Sequence, residues 1–105
     1  MKDESFRDYV LDQLTALPAL AGRKMFGGCG LYLGKQFFGI VFKGRLYFRA
    51  NDTTRQAYES RGMKSFQPKP RQAMKSYLEV PADVVEDALL LADWARTAAA
   101  THDAD

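Results

Sequence analysis

Few residues in this chain are of types that do covalent chemistry. There is one cysteine, Cys29, and one histidine, His102. A nucleophilic thiol needs a base or an electropositive setting to ionise it. Cys29 has Arg23 and Lys24 nearby but no histidine to serve as base, so a buried or half-buried structural thiol is expected. His102 falls in the hydrophilic segment 101–105, where a solvated tail is expected. Asp83, Glu86 and Asp87 lie close together in sequence, as an acid–base pair would require. They also sit where a helix starts, and capping and the helix dipole account for carboxylates there. No histidine–cysteine cluster has metal-ligand spacing. These residue types predict no enzyme, no metal and no cofactor.

The run Arg23-Lys24-Met25-Phe26-Gly27-Gly28-Cys29-Gly30-Leu31-Tyr32-Leu33 places three glycines within four positions of an otherwise strand-like stretch. Glycine inside a strand marks a bulge, a sharp bend or the close approach of another backbone. One bent strand over residues 23–33 is therefore predicted, with the bend between positions 26 and 31. The competing reading is a loop that cradles phosphate or another small ligand. Gly27, Gly28 and Gly30 match neither the dinucleotide-binding nor the P-loop spacing, and no long amphipathic helix follows them. A ligand-binding or enzymatic use of this bend accordingly ranks last.

Charge is distributed unevenly. Residues 1–19 hold two basic and four acidic residues, 20–75 hold twelve basic and two acidic, and 76–105 hold one basic and seven acidic. The segments carry −2, +10 and −6, the whole chain +2. Such asymmetry marks either an anionic partner or surfaces that neutralise each other within a fold or a dimer. Lys24, Lys43, Arg45, Arg49, Lys69, Arg71 and Lys75 are the candidate phosphate or partner contacts. Tyr32, Tyr47 and Phe48 are interleaved among them, a mixture that suits nucleic acid. The plainer reading has the cations lining a solvated sheet face and the aromatics filling the core. No recognition-helix or RNA-binding signature supports the other.

The elements that would position these residues are legible from periodicity. Phe6, Tyr9, Val10, Leu11, Leu14 and Leu17 repeat with helical spacing, and Pro18 ends that helix. Two turns, Gly34-Lys35 and Lys43-Gly44, join aromatic and β-branched runs into a three-stranded antiparallel meander. In the run 45–49, Arg45, Tyr47 and Arg49 share one face, predicted to be solvated and cationic, and Leu46 and Phe48 the other. Residues 51–54 offer helix caps, and Gly62 ends a short helix over 54–61. Short strands follow over 63–66 and 74–80, flanking the loop-like stretch 67–72. Pro81 opens a turn or short helix. Asp87 caps a final helix over 88–99, with Leu89, Leu90, Ala92, Trp94 and Ala95 available for burial and Trp94 as a core anchor. The order helix, three strands, helix, two strands, helix predicts an α+β fold, one sheet with flanking helices. At 105 residues a single domain over 1–105 is expected, with a disordered tail over 100–105. The N-terminus, Met1-Lys2-Asp3-Glu4, lacks the apolar segment of a signal peptide, and no apolar run reaches the length of a membrane span. With one thiol there is no internal disulfide, which fits a reducing, cytoplasmic setting.

In order, these pieces resemble the N-terminal domain of the TfoX/Sxy family. The likeness rests on residues 23–33, on Leu46-Tyr47-Phe48-Arg49-Ala50, Thr54-Arg55, Gly62 and Phe66, on Tyr77-Leu78-Glu79-Val80-Pro81, and on Trp94-Ala95-Arg96. It extends from Phe6 to Ala98. The resemblance implies a bacterial cytoplasmic protein with this α+β element order. Relatives regulate natural competence, acting with the cyclic-AMP receptor protein at promoters of DNA-uptake genes, and no catalytic residues are attached to them. Those regulators carry a second, C-terminal domain of helix-hairpin-helix character, whereas a stand-alone N-terminal domain is expected here. Cys29 stands where relatives often carry another residue, which argues against an essential thiol.

The resulting expectation is a non-catalytic regulatory domain acting through a protein partner, with the transcription machinery as the first candidate. Direct, weakly specific nucleic-acid binding by the basic 23–75 segment is the alternative. A homodimer pairing the acidic C-terminal third with the basic middle is compatible with the charge pattern. No membrane partner is expected.

Overall fold

The computed structural model describes the backbone of residues 3–25, 27–69 and 72–100, and side chains over 5–24, 27–67 and 74–100. Its elements are α1 (Asp3–Gln13), β1 (Leu20–Met25), β2 (Gly28–Leu33), β3 (Gln36–Phe42), β4 (Arg45–Arg49), α2 (Arg55–Glu59), β5 (Ser65–Lys69), β6 (Gln72–Glu79), α3 (Ala82–Val85) and α4 (Ala88–Ala100). The six strands form one antiparallel sheet in the order β1-β2-β3-β4-β6-β5. The fold is α+β, as predicted.

The meander has four strands where three were predicted, because residues 23–33 are a hairpin and not one bent strand. β1 and β2 pair along their full length, from Leu20 against Leu33 to Met25 against Gly28. Gly27 sits in the turn with φ +78°, a conformation that costs glycine nothing and other residues about 1 kcal/mol or more. Gly28 serves a different need. A Cβ on it would collide with the Val41 carbonyl oxygen of β3. The glycine run thus contains both a turn and a close backbone approach.

Other boundaries shift by a turn. α1 ends at Gln13, and the chain unwinds through short i→i+3 turns, Leu14 to Leu11 and Leu17 to Leu14, before Pro18. α2 is preceded by a reciprocal cap: the Thr54 amide donates to Asn51 Oδ1, and the Asn51 amide donates to Thr54 Oγ1, both at 2.9 Å. It closes with Gly62 at φ +73°, whose amide donates to the Glu59 carbonyl while the Met63 amide donates to that of Tyr58. Asp87 caps α4 through the Leu90 amide, 3.1 Å from Oδ1. Much of the predicted loop 67–72 is strand: β5 runs to Lys69 and β6 starts at Gln72. Ala100, predicted to open the tail, is helical, and the rest of the predicted tail, 101–105, lies outside the described residues.

The main core lies between the helices and one face of the sheet. Leu31, Phe38, Val41, Leu46, Phe48 and Leu78 meet Val10, Leu14, Val84 and Leu91, all at most 2% exposed. α4 presents Ala92, Ala95, Ala98 and Ala99 to this core, small residues that admit close helix–sheet contact. Leu89, expected to be buried, is 81% exposed, and Leu91 takes its place.

The other face, predicted to be solvated, carries a second cluster of Ile40, Tyr47, Phe66 and Tyr77, with Phe37, Phe42 and Met74 packed against it. Phe66 on β5 lies 5.3 Å from Phe42 on β3, centroid to centroid. Those strands are three places apart, and strands in a flat sheet would be separated by about 14 Å over that span. The β5–β6 arm therefore folds over this face. Register shifts within the β5–β6 pairing, at Phe66, supply the bend.

The two glycines are separable by experiment. Gly28→Ala drives a methyl into the β3 backbone and should cost about 2–4 kcal/mol, whereas Gly27→Ala, with open space around it, should cost only the turn strain of about 1 kcal/mol. Urea unfolding of both variants checks the order.

Candidate functional site

The helix-free face of the sheet brings together more of the sequence-selected residues than any other surface described. In-register neighbours run Arg23, Gly30, Ile40, Tyr47 and Glu79 across β1, β2, β3, β4 and β6. One row along are Tyr32, Phe37 and Tyr77, whose rings form a ladder with centroids 5.2 and 5.5 Å apart. Gly30 offers no side chain between Arg23 and Ile40. The guanidinium of Arg23 crosses that bare position to lie 5.4 Å over the Tyr32 ring.

At the far end of the ladder Arg49 lies 5.6 Å over Tyr77, and its Nε–H donates to the Tyr77 hydroxyl at 3.1 Å. Lys43, in the β3–β4 turn with φ +51°, lies 5.3 Å from the Phe42 ring centroid. Arg45 pairs with both carboxylate oxygens of Glu79 at 3.1 Å. Burial pushes the Tyr47 hydroxyl pKa up, Glu79 adds to the rise and Arg45 opposes it. This face is therefore an aromatic platform with cations fixed on its rings.

The candidate contacts do not all converge there. Arg45 and Arg49 share the helix-free face, and Lys43 joins them from the turn. Lys24 pairs with Cys29, whose side chain belongs to the helix-side core, so Lys24 points to the opposite face. Lys75 is exposed on β6, and its carbonyl accepts a 3.2 Å bond from Arg55 Nη1. Lys69 ends β5, its side chain outside those described, and Arg71 lies outside the described residues altogether. Arg23, Phe37 and Tyr77 were missed as candidates. Arg23 was recoverable from strand alternation once residues 20–25 are recognised as a strand of their own.

The oppositely charged segments neutralise each other in part within the chain. Arg45 of the basic middle meets Glu79 of the acidic third, and Arg61 meets Asp83 at 2.7 Å. These are exposed pairs, each contributing about 1 kcal/mol at most.

No acid–base or nucleophilic centre forms among the described residues. Cys29 is 5% exposed, and its Sγ–H donates to the Gly30 carbonyl. Burial pushes its pKa up, against lesser lowering by Arg7 and by the Arg23 backbone. Asp83 is engaged by Arg61 and Asp87 by the α4 cap. No group of three or more histidine, cysteine, aspartate or glutamate side chains among the described residues is placed to hold a metal ion. Gly27, Gly28 and Gly30 line neither of the two clefts described. No helix of the described residues is long and apolar enough to cross a membrane.

The chain is thus a one-sheet α+β domain with helices on one side and a cation-capped aromatic face on the other. The chain matches the TfoX N-terminal domain over residues 12–101, and it belongs to that family. Comparison with curated proteins returns no match.

The state of Cys29 is testable. A thiol whose folded pKa is raised contributes stability that is whole below the unfolded thiol's range, about 8.5, and is lost as pH climbs through the raised value. Buried Tyr58, also shifted up, acts in the same direction at higher pH. Stability measured from pH 7 to pH 10 should fall with pH, and Cys29→Ala should flatten the early part of that fall. Iodoacetamide should label the native thiol at least tenfold more slowly than the urea-unfolded one.

Proposed function

We propose that this domain is a non-catalytic regulatory module that acts through a protein partner in the transcription machinery. The observation that carries the reading is the composition of the helix-free face. Tyr32, Phe37, Phe42 and Met74 are only partly buried there, and Arg23 and Arg49 are held on rings. Tyrosine, phenylalanine, methionine and arginine are the residues enriched in protein interfaces, and tyrosine and arginine dominate their binding energy. Rings already fixed by a ladder lose little conformational freedom on binding, which favours affinity. Membership of the TfoX N-terminal domain family, generally non-enzymatic, supports a role without turnover.

Direct nucleic-acid binding is the second reading. It is favoured by the placing of three cations, Arg23, Lys43 and Arg49, on rings of one sheet, since sheet-based readers combine aromatic stacking with phosphate contacts.

One set of measurements separates the two. The tagged domain, incubated with lysate of the encoding organism, should retain an identified transcription component, and Tyr32→Ala with Phe37→Ala should lower retention about fivefold or more. Labelled DNA titrated at 50 and 200 mM salt should show no strong binding. Retention of no transcription component, or retention indifferent to both substitutions, overturns the partner reading. DNA affinity that drops tenfold or more between the two salts, through counterion release, transfers the face to nucleic acid.

A further inference from the structure

On the helix side of the sheet, away from the aromatic–cationic face, a half-open cleft of about 220 Å³ lies between α2 and α4. Thr53, Thr54, Ala57, Tyr58, Trp94 and Thr97 line it, so its walls are aromatic and hydroxylated and carry no charge. Three ion pairs flank it. Arg55 pairs with Glu59 at 2.9 Å, Arg61 with Asp83 at 2.7 Å, and Arg96 with Asp93 at 2.8 Å. Trp94 is half-buried, its ring edge-on to Tyr58 at 4.9 Å, with the Arg61 guanidinium 5.7 Å over it.

Tyr58 is the unusual wall. It is 4% exposed. A tyrosine buried to this degree normally gives its hydroxyl a partner. Among the described residues this hydroxyl has none, yet it is not sealed off from solvent. Tyr58 is one of the residues that line the cleft. Burial drives its pKa well above the usual tyrosine value, so the group stays protonated and keeps a hydrogen to donate.

We propose that this cleft binds a small, neutral, planar molecule with a hydrogen-bond acceptor, seated against Trp94 and accepting a hydrogen bond from the Tyr58 hydroxyl. A cavity of about 150 Å³ admits benzene, so this one has room for a substituted ring. An ionised ligand would leave water without finding a free counter-charge in the walls, which selects for a neutral one. The site lies across the sheet from the partner face and does not depend on that reading.

Trp94 is the chain's only tryptophan, so its indole N–H resonance reports the cleft without labelling. Acetophenone, toluene and benzoate are the probes: a neutral ring with an acceptor, one without, and an anionic ring. Acetophenone should shift the Trp94 signal saturably, toluene should bind about three- to tenfold more weakly, and benzoate more weakly still. Tyr58→Phe should bring acetophenone down to the level of toluene and leave toluene unchanged. Ala57→Leu, on the exposed side of α2, should fill the cleft and abolish the acetophenone shift, a readout that decides the matter even if Tyr58→Phe does not fold. No saturable shift at Trp94, an acetophenone-to-toluene ratio unchanged by Tyr58→Phe, or a shift that survives Ala57→Leu would each overturn the assignment.

Discussion

The burial of β3 on both faces is the constraint from which the rest of this domain follows. Phe38 and Val41 go into the helix-side core and Ile40 into the opposite cluster, all at most 1% exposed. A strand apolar on both sides needs cover on both sides. α1, α3 and α4 supply one cover, and the folded β5–β6 arm supplies the other through Phe66. A bulge makes the arrangement possible. Leu31 opposes Gly39 and Tyr32 opposes Phe37, so Phe38 is the extra residue. With it, adjacent phenylalanines serve opposite faces: Phe38 packs 5.5 Å from Phe48 on the helix side, and Phe37 joins the ladder of Tyr32 and Tyr77.

The second cover creates the aromatic–cationic face. An arm that reaches Phe42 and Tyr47 leaves Tyr32 and Phe37 beyond it only half-buried. Rings in that position retain an apolar face toward solvent, and arginines laid over them recover part of its hydration cost while keeping their charge in water. The glycines of β2 belong to the same geometry. Gly28 lets β3 approach, and Gly30 leaves the lane through which Arg23 reaches Tyr32. A stretch that resembled a ligand loop in composition instead shapes a surface.

Local signals in the sequence carried most of the architecture. The turns at Lys43-Gly44 and Gly34-Lys35, the Asn51 and Asp87 caps and the Gly62 stop depend on near neighbours, and each lies where propensity placed it. What was illegible depended on distant contacts. Residues 20–22, short and glycine-containing, are a strand because Leu33, Tyr32 and Leu31 offer them a ladder. The two-sided burial of β3 reads as an ordinary apolar run, and alternation in β4 gave the correct faces, Leu46 and Phe48 against Tyr47, but not the arm over Tyr47. Charge segregation was visible, but its meaning was not. Only the fold shows that Arg45 and Arg61 of the basic middle spend themselves on Glu79 and Asp83 of the acidic third.

That internal neutralisation bears on the choice between partners. Electrostatic affinity for a polyanion grows with the number of phosphates neutralised, so each cation committed to a carboxylate weakens it. Arg45, Arg55 and Arg61 are committed in this way, and Lys24 lies on the face away from Arg49. On the helix-free face Arg23 and Arg49 lie over tyrosine rings and Lys43 lies over the Phe42 ring. Three ring-mounted cations among half-buried aromatics make a modest phosphate site, because few counterions would be released. They suit the proposed protein interface better, since affinity there comes from fixed aromatic area and one or two arginines at its centre. The same domain folded with its acidic third turned away from the basic middle would have argued the other way.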